Sequence, residues 1–240
     1  MEHSTYRERR GEIERYFDRT ALENWARLTS DAPVSGIRAT VRAGRDRMRA
    51  LLLDLLGADL SGQRILDAGC GTGALAVEAA RRGAHVVGID VSPSLIDIAR
   101  ERLPEDLGSG SVTLLAGDML GAEHGDFDQV VAMDSLIHYQ GEDVVAALAG
   151  LAARTRGAIC FTFAPRTPLL AAMHAVGQLF PRSDRSPAIV PLAEARLRAG
   201  LDGVDALAGW QLDPTARVAS GFYTSQAARL GRTLAVERAA

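Results

Sequence analysis

The stretch Leu66-Asp67-Ala68-Gly69-Cys70-Gly71-Thr72-Gly73 decides the fold of this chain. It follows a short apolar run, Arg64–Ala68, and runs straight into a helix-forming segment, Ala74–Arg82, that Gly83 stops. A buried strand, a glycine turn and a helix open a doubly wound α/β sheet, in which ligands sit at the carboxyl ends of the strands. The glycines at 69, 71 and 73 let the backbone turn sharply and lie against a ligand where a Cβ would collide with it.

Outward from this turn the pattern continues as strands alternating with helices. Further strands are expected at His85–Ile89, Val112–Ala116, Gln129–Met133 and Ala158–Phe163. Ser92 and Pro93 open a helix to Leu103, with serine as N-cap and proline at the first position. Another helix spans Glu142–Arg154. This alternation implies right-handed crossovers and a parallel sheet. Trp210–Arg217 and Ser220–Gln226 read as two more strands joined by a short turn. The expected fold is therefore Rossmann-like: a mostly parallel seven-stranded sheet, helices on both faces, and an antiparallel strand near the C-terminus.

The flanks are helical. Residues about 5–18 are charged, with Ile13, Tyr16 and Phe17 on one side, and a second piece follows around Leu22, Trp25 and Leu28. Ile37 to Leu56 is a long helix with apolar residues at helical spacing, which Gly57 stops. Residues 1–58 are read as an N-terminal arm and lid, and 59–240 as the core. An insertion over about 165–200 holds a helix at Leu169–Phe180, an exposed loop to Pro191 and a helix near Leu192–Ala199.

Composition narrows the class. The 240 residues suit one domain with additions, and 47% hydrophobic with 24% charged residues is ordinary for a globular protein. A net charge of −3 gives no footprint for nucleic acid. Every one of the 27 basic residues is arginine. Cys70 and Cys160 make neither a disulfide framework nor a zinc pattern, which favours a cytoplasmic location. The charged N-terminus lacks the apolar core of a secretory signal, and no apolar run is long enough to span a membrane.

The charge beside the glycine turn selects the ligand. Gly69, Gly71 and Ala74 also satisfy the relaxed dinucleotide fingerprint. However, Asp67 immediately precedes the turn and would repel a pyrophosphate. S-adenosylmethionine (SAM) carries an ammonium and a sulfonium, and opposite charges about 4 Å apart gain roughly 4 kcal/mol at an effective dielectric near 20. Asp90 closes the second strand, 17 residues past Gly73, where a carboxylate suits two ribose hydroxyls. Asp118, in Gly117-Asp118-Met119 after the third strand, can accept from an adenine amino group. Val91, Met119 and Met133 complete the expected cofactor set; Asp128 is read as a turn cap. In this order the residues resemble the class I SAM-dependent methyltransferases over about 60–165.

The outer segments carry a narrower resemblance. Tyr16-Phe17-Asp18-Arg19-Thr20, Glu23-Asn24-Trp25 and Ile37-Arg38-Ala39-Thr40-Val41-Arg42-Ala43-Gly44-Arg45 are similar to the N-terminal region of magnesium-protoporphyrin IX O-methyltransferases. Asp134-Ser135-Leu136-Ile137-His138-Tyr139, Phe161-Thr162-Phe163-Ala164-Pro165 and Ser220-Gly221-Phe222-Tyr223 resemble that family too. The resemblance implies esterification of one propionate of Mg-protoporphyrin IX with SAM as donor, in bacteriochlorophyll synthesis. It also implies handover of the porphyrin from a magnesium chelatase subunit, and is compatible with peripheral attachment to a pigment membrane.

For that reaction, His138, just past the fourth strand, is the candidate that holds the attacking carboxylate or takes a remaining proton. Tyr16, on the arm, is the second candidate. Arg38, Arg42, Arg45 and Arg49 share one helix face, and guanidinium forks match the carboxylates of a dianionic porphyrin. Arg38, Arg42, Arg45 and Arg166 form the expected substrate set, with Arg166, like Arg182, a weaker candidate than the helix arginines. The magnesium belongs to the substrate, so no protein metal site is expected; histidines 3, 85, 124 and 174 show no ligand spacing. Three other readings stay open: methylation of a quinone or small phenol, with His138 near Asp134 as base; a nicotinamide oxidoreductase; and a non-catalytic tetrapyrrole or nucleotide carrier.

Overall fold

The computed structural model describes residues 3–19, 29, 36–166 and 188–233. The expected helix at Leu169–Phe180, the piece around Leu22–Leu28, Arg182 and His174 lie outside the described residues. One sheet runs through the molecule, built from β1 (Arg64–Ala68), β2 (His85–Asp90), β3 (Ser111–Ala116), β4 (Phe127–Ala132), β5 (Thr155–Phe163), β6 (Trp210–Leu212), β7 (Ala216–Ser220) and β8 (Tyr223–Arg232). The helices are α1 (His3–Arg19), α2 (Ile37–Leu56), α3 (Ala74–Arg81), α4 (Pro93–Glu101), α5 (Gly141–Ala152) and α6 (Glu194–Asp202).

The strand order is β3-β2-β1-β4-β5-β8-β6, with β7 also on β8. The first five strands are parallel, and β8 runs antiparallel to β5, β6 and β7. The sheet thus has eight strands instead of the expected seven. Trp210–Arg217 divides into β6 and β7, which pair with different stretches of β8. β8 continues well past Gln226, because Ala227, Ala228 and Leu230 are small or apolar and buried between β5 and its other partners.

Side chains alternate between two cores, as the two-residue period of a strand requires. Leu66, Val130, Ile159 and Phe161 face α5 and α6. Ile65, Val131 and Cys160 face α2 and α3, where they meet Met48, Leu52 and Leu56. The second half of α2 is thus a layer of the main core, and Gly44 brings it onto β8: a Cβ there would lie 2.5 Å from the Tyr223 ring.

β1 pairs with β2 on one side and β4 on the other, so the chain switches direction across the sheet between β1 and β4. That switch point is where open α/β sheets bind ligands.

Candidate active site

Three of the first five residues after β1, which form the turn, are glycines in the left-handed region: Gly69 (φ 81°), Gly71 (φ 54°) and Gly73 (φ 78°). Gly69 has a second constraint, since a Cβ would sit 2.3 Å from that of Ser135. The turn is therefore locked against the segment that follows β4.

Two buried carboxylates frame this turn. Asp67 is 1% exposed, and its Oδ2 makes no hydrogen bond within the protein. Burial first, and Asp90 second, push its carboxyl up to about 7, with the Ala76 N–H pulling the other way. A buried charge without a partner is costly, and a cationic group lodged there would offset that cost. Asp90 accepts from Gly71 N on Oδ2 and from Ser92 N on Oδ1, both at 2.9 Å. A carboxylate has about four acceptor sites, so those two bonds leave capacity for a pair of hydroxyls. Burial raises the Asp90 carboxyl despite these hydrogen bonds. An ammonium at Asp67 and a ribose at Asp90 fit SAM, whereas a diphosphate would face both carboxylates.

A cavity of about 680 Å³ opens from this acid pair, within the range of small-molecule sites. Asp67, Gly69, Gly71, Gly73, Asp90 and Val91 line one end, and Met119 and Met133 join them. Asp118 does not line the cavity, although Gly117 and Met119 on either side do. Its carboxylate instead accepts from Tyr6 Oη (2.9 Å), from Arg10 and from Leu120 N (3.0 Å). The expected adenine acceptor is thus engaged by α1.

The other end is walled by side chains from distant parts of the sequence. Arg38, Arg42 and Arg45 line it from α2, together with Arg49. Arg166 does not: its side chain is exposed at the end of β5, where the segment turns to pair with Leu192. His138 ends a single 3₁₀ turn, Leu136–His138, and is buried in the cavity wall. Its Nδ1 lies 3.4 Å from the Ala188 carbonyl, and its ring meets that of Phe17 edge-on at 6.4 Å. Tyr16 also lines the cavity, its ring set edge-on against Phe17 at 5.2 Å. Arg9 Nε donates to the His138 carbonyl at 2.9 Å, so α1 is tied to the turn that carries this histidine.

Several lining residues lie outside the candidate site set read from sequence. Tyr6, Ile13 and Phe17 face the cavity from α1, and Ser135, Tyr223 and Ser225 from beyond β4 and on β8. Ser135 Oγ and Asp67 Oδ2, on either side of the glycine turn, are both buried without a hydrogen-bond partner. The Asp134-Ser135 pair carries a sequence signal, the run to Tyr139; nothing in the sequence places Tyr6 there.

Comparison with known proteins gives the family. A family model described as the magnesium-protoporphyrin IX methyltransferase C-terminus matches residues 132–232, and a methyltransferase-domain model matches 65–157. The magnesium-protoporphyrin O-methyltransferase of Rhodobacter capsulatus is 52% identical over 93% of this chain and 96% of its own length. Its counterpart from Synechocystis is 30% identical over 88% of this chain and 91% of its own. The crystal structure of magnesium protoporphyrin IX methyltransferase (ChlM) from Synechocystis PCC 6803 with bound SAH superposes with a TM-score of 0.79 at 29% identity, covering 92% of this chain and 99% of that one. The chain is a SAM-dependent O-methyltransferase and belongs to the magnesium-protoporphyrin O-methyltransferase family.

Proposed function

We propose that this chain transfers the methyl group of SAM to a propionate carboxylate of Mg-protoporphyrin IX, giving the monomethyl ester. One observation carries the reading: a single cavity joins a buried acid pair, suited to a cationic donor, to a wall of arginines suited to a carboxylate acceptor. When bound, SAM supplies an electrophilic methyl carbon on a sulfonium, and its passage to a carboxylate oxygen makes one C–O bond, breaks one C–S bond and moves no proton.

The protein's own task is then alignment. A propionic acid titrates near the glutamate value of about 4.3 and arrives ionised, so no strong base is required. His138 holds the attacking carboxylate from the cavity wall, with Tyr16 across from it on α1. Arg38 and Arg42 hold the porphyrin's carboxylates further along α2, and Asp118 contributes to the cofactor end by anchoring α1 over it. Holding reactants in register supplies several kcal/mol, up to about 7–11 in favourable systems.

The phenol reading needs a base backed by a carboxylate. Asp134 is the nearest candidate in sequence, and its oxygens accept from Arg45, Tyr223, Ser225 and Thr162. That arrangement favours a carboxylate acceptor, which arrives already charged.

In the same reading, residues 1–58 form a cover in two parts: α1 as the lid proper and α2 as a fixed wall. The insertion over about 165–200, read from sequence as substrate-covering, lies largely outside the described residues; in this reading the porphyrin arrives from a magnesium chelatase subunit. No helix among the described residues is long and apolar enough to cross a membrane. In this reading the enzyme is cytoplasmic, and Phe222 and Ile189, exposed apolar side chains that also line the cavity, support peripheral contact with a pigment membrane.

The test mixes protein, SAM and Mg-protoporphyrin IX and looks for a mass gain of one CH2 unit, the ester methyl in place of the acid proton. The expected product is the monomethyl ester, and its yield falls by about 10–100-fold in His138→Asn. Folded protein that binds SAM yet makes no ester would refute the porphyrin assignment.

A further inference from the structure

Asp134 is the one non-glycine among the described residues with a positive φ, 55°. Such backbone is strained for a non-glycine residue and persists only where its surroundings fix it. Here they do. The Asp134 N–H donates to Thr162 Oγ1 at 2.7 Å, and Thr162 Oγ1, Ser225 Oγ and Tyr223 Oη each lie 3.2 Å from its Oδ1. Arg45 Nη1 donates to Oδ2 at 2.5 Å. The side chain of Asp134 is 6% exposed and that of Arg45 is 18%.

A buried ion pair seldom stabilises a fold beyond what apolar side chains would. This one is in the cavity wall: Arg45, Asp134, Tyr223 and Ser225 all line it. Asp134 also sits between Met133, at the cofactor end, and Ser135, which abuts Gly69. The pair therefore stands at the junction of the two halves of the site.

The charge balance of the reaction gives that position a meaning. The attacking carboxylate loses its charge as the C–O bond forms, while the sulfonium loses its own. An uncompensated guanidinium on that carboxylate would stabilise the ground state more than the transition state, and only interactions that survive into the transition state speed the chemistry. A guanidinium already paired with a carboxylate still offers oriented N–H donors, but with little net charge.

We propose that Asp134 is a positioning residue that tempers Arg45, so that Arg45 orients the reacting carboxylate without trapping it as an anion. This rests on the carboxylate-methylation reading above. It separates Arg45, at the reacting carboxylate, from Arg38 and Arg42 further toward the start of α2.

Asp134→Asn keeps the shape and removes the charge. In this variant, Mg-protoporphyrin IX binds about fivefold tighter by fluorescence titration without SAM, and KM and kcat fall together in turnover, kcat by about tenfold. Arg45→Met loses the wild-type preference for the free acid over its monomethyl ester, measured by the same titration, so the ratio of the two dissociation constants moves from about ten to near one. SAM affinity within twofold of wild type in both variants certifies the fold. Weaker porphyrin binding in Asp134→Asn with kcat unchanged, or no change in either, overturns the proposal. So does an Arg45→Met variant that discriminates acid from ester as wild type does, and this arm decides the matter if Asp134→Asn does not fold. A wild-type enzyme that makes no ester refutes the function itself; a wild-type enzyme that makes it while these variants behave otherwise refutes only the role of the pair.

Discussion

The two ends of the cavity are built by different means. At the cofactor end the walls are backbone and two buried carboxylates, supplied by residues 67–73 and 90–91, all at the ends of neighbouring parallel strands. At the acceptor end the walls are side chains from α1, α2, the turn after β4 and β8, brought together from positions as far apart as Tyr6 and Tyr223. The first end is defined by a turn that only glycine can make and by charge that the protein leaves uncompensated. The second is defined by packing between elements and by charge that the protein has already paired. In the proposed reading, a cationic donor is met by two buried carboxylates, one of them with an unpartnered oxygen, and an anionic acceptor by arginines, one of which is held in check.

The sharpest break in that contrast is Asp67→Asn. It keeps the shape and removes the charge that Oδ2 holds without a partner. SAM affinity falls by at least 100-fold in calorimetry, in line with an ion pair of a few kcal/mol in a buried site, while the ligand-free protein keeps or gains thermal stability. Loss of stability together with unchanged SAM affinity would show that Asp67 serves the fold and not the donor.

Gly69→Ala tests whether the ends are mechanically joined. The new Cβ would meet Ser135 at 2.3 Å on a backbone with φ 81°. A cost of about 1–3 kcal/mol follows from strain and overpacking together, read as a fall in Tm of several degrees. Adding Ser135→Gly relieves the collision but not the φ strain, so it restores part of the loss. Full restoration would mean that backbone conformation at Gly69 is not a constraint.

These two ends also differ in how far they could be read from the amino acids. Asp67, the three glycines and Asp90 lie within 24 positions, and their spacing follows from strand–turn–helix geometry. Local rules therefore reach them, and they reach the five parallel strands for the same reason. His138 and the arginines of α2 came from resemblance and helix periodicity, and the cavity does contain them. Local rules fail where tertiary partners decide. Arg166 is a plausible cation in sequence but is exposed and not among the residues that line the cavity, where the chain leaves β5 and Pro165 bridges to Leu192. Asp118 has the right position after β3, yet α1 brings Tyr6 and Arg10 to it from more than 100 residues away. β8 runs past the expected end at Gln226 because Ala227, Ala228 and Gly231 carry little strand signal until β5 pairs with them.

A smaller effect comes from pH. The folded-state value of Asp67, about 7, lies above its ordinary 3.8. Stability from this group is therefore fully present below about pH 4 and lost as pH rises through 7, where the ligand-free protein must hold a buried charge. A cation bound beside it reverses the preference, so SAM binding below pH 7 expels a proton. The dissociation constant for SAM should rise by about 25-fold from pH 7.5 to pH 5.5, and the gain in Tm on adding SAM should shrink accordingly. Staying at or below 7.5 keeps the α-amino group of SAM, which titrates near 7.7–8.0, mostly charged. A flat profile would place the cation elsewhere than at Asp67.

The smallest effect concerns the point where α1 meets the cofactor end. Tyr6 stacks on Tyr139 with ring centroids 4.9 Å apart and planes 20° from parallel, and its hydroxyl donates to Asp118. Tyr6→Phe keeps the stack and deletes the hydroxyl, leaving Asp118 with Arg10 and Leu120 N. One hydrogen bond in a half-buried setting is worth about 0.5–1.5 kcal/mol. If α1 serves SAM chiefly as a cover, its affinity falls by about two- to fivefold, because the covered state is less populated. If Asp118 instead serves an adenine amino group directly, Tyr6 competes for the same Oδ1, and its removal leaves SAM affinity unchanged or raises it. The geometry favours the cover, since Asp118 lies outside the cavity lining while Tyr6 lies within it. The sign of the change in Kd therefore decides whether α1 closes over the donor or takes its acceptor away.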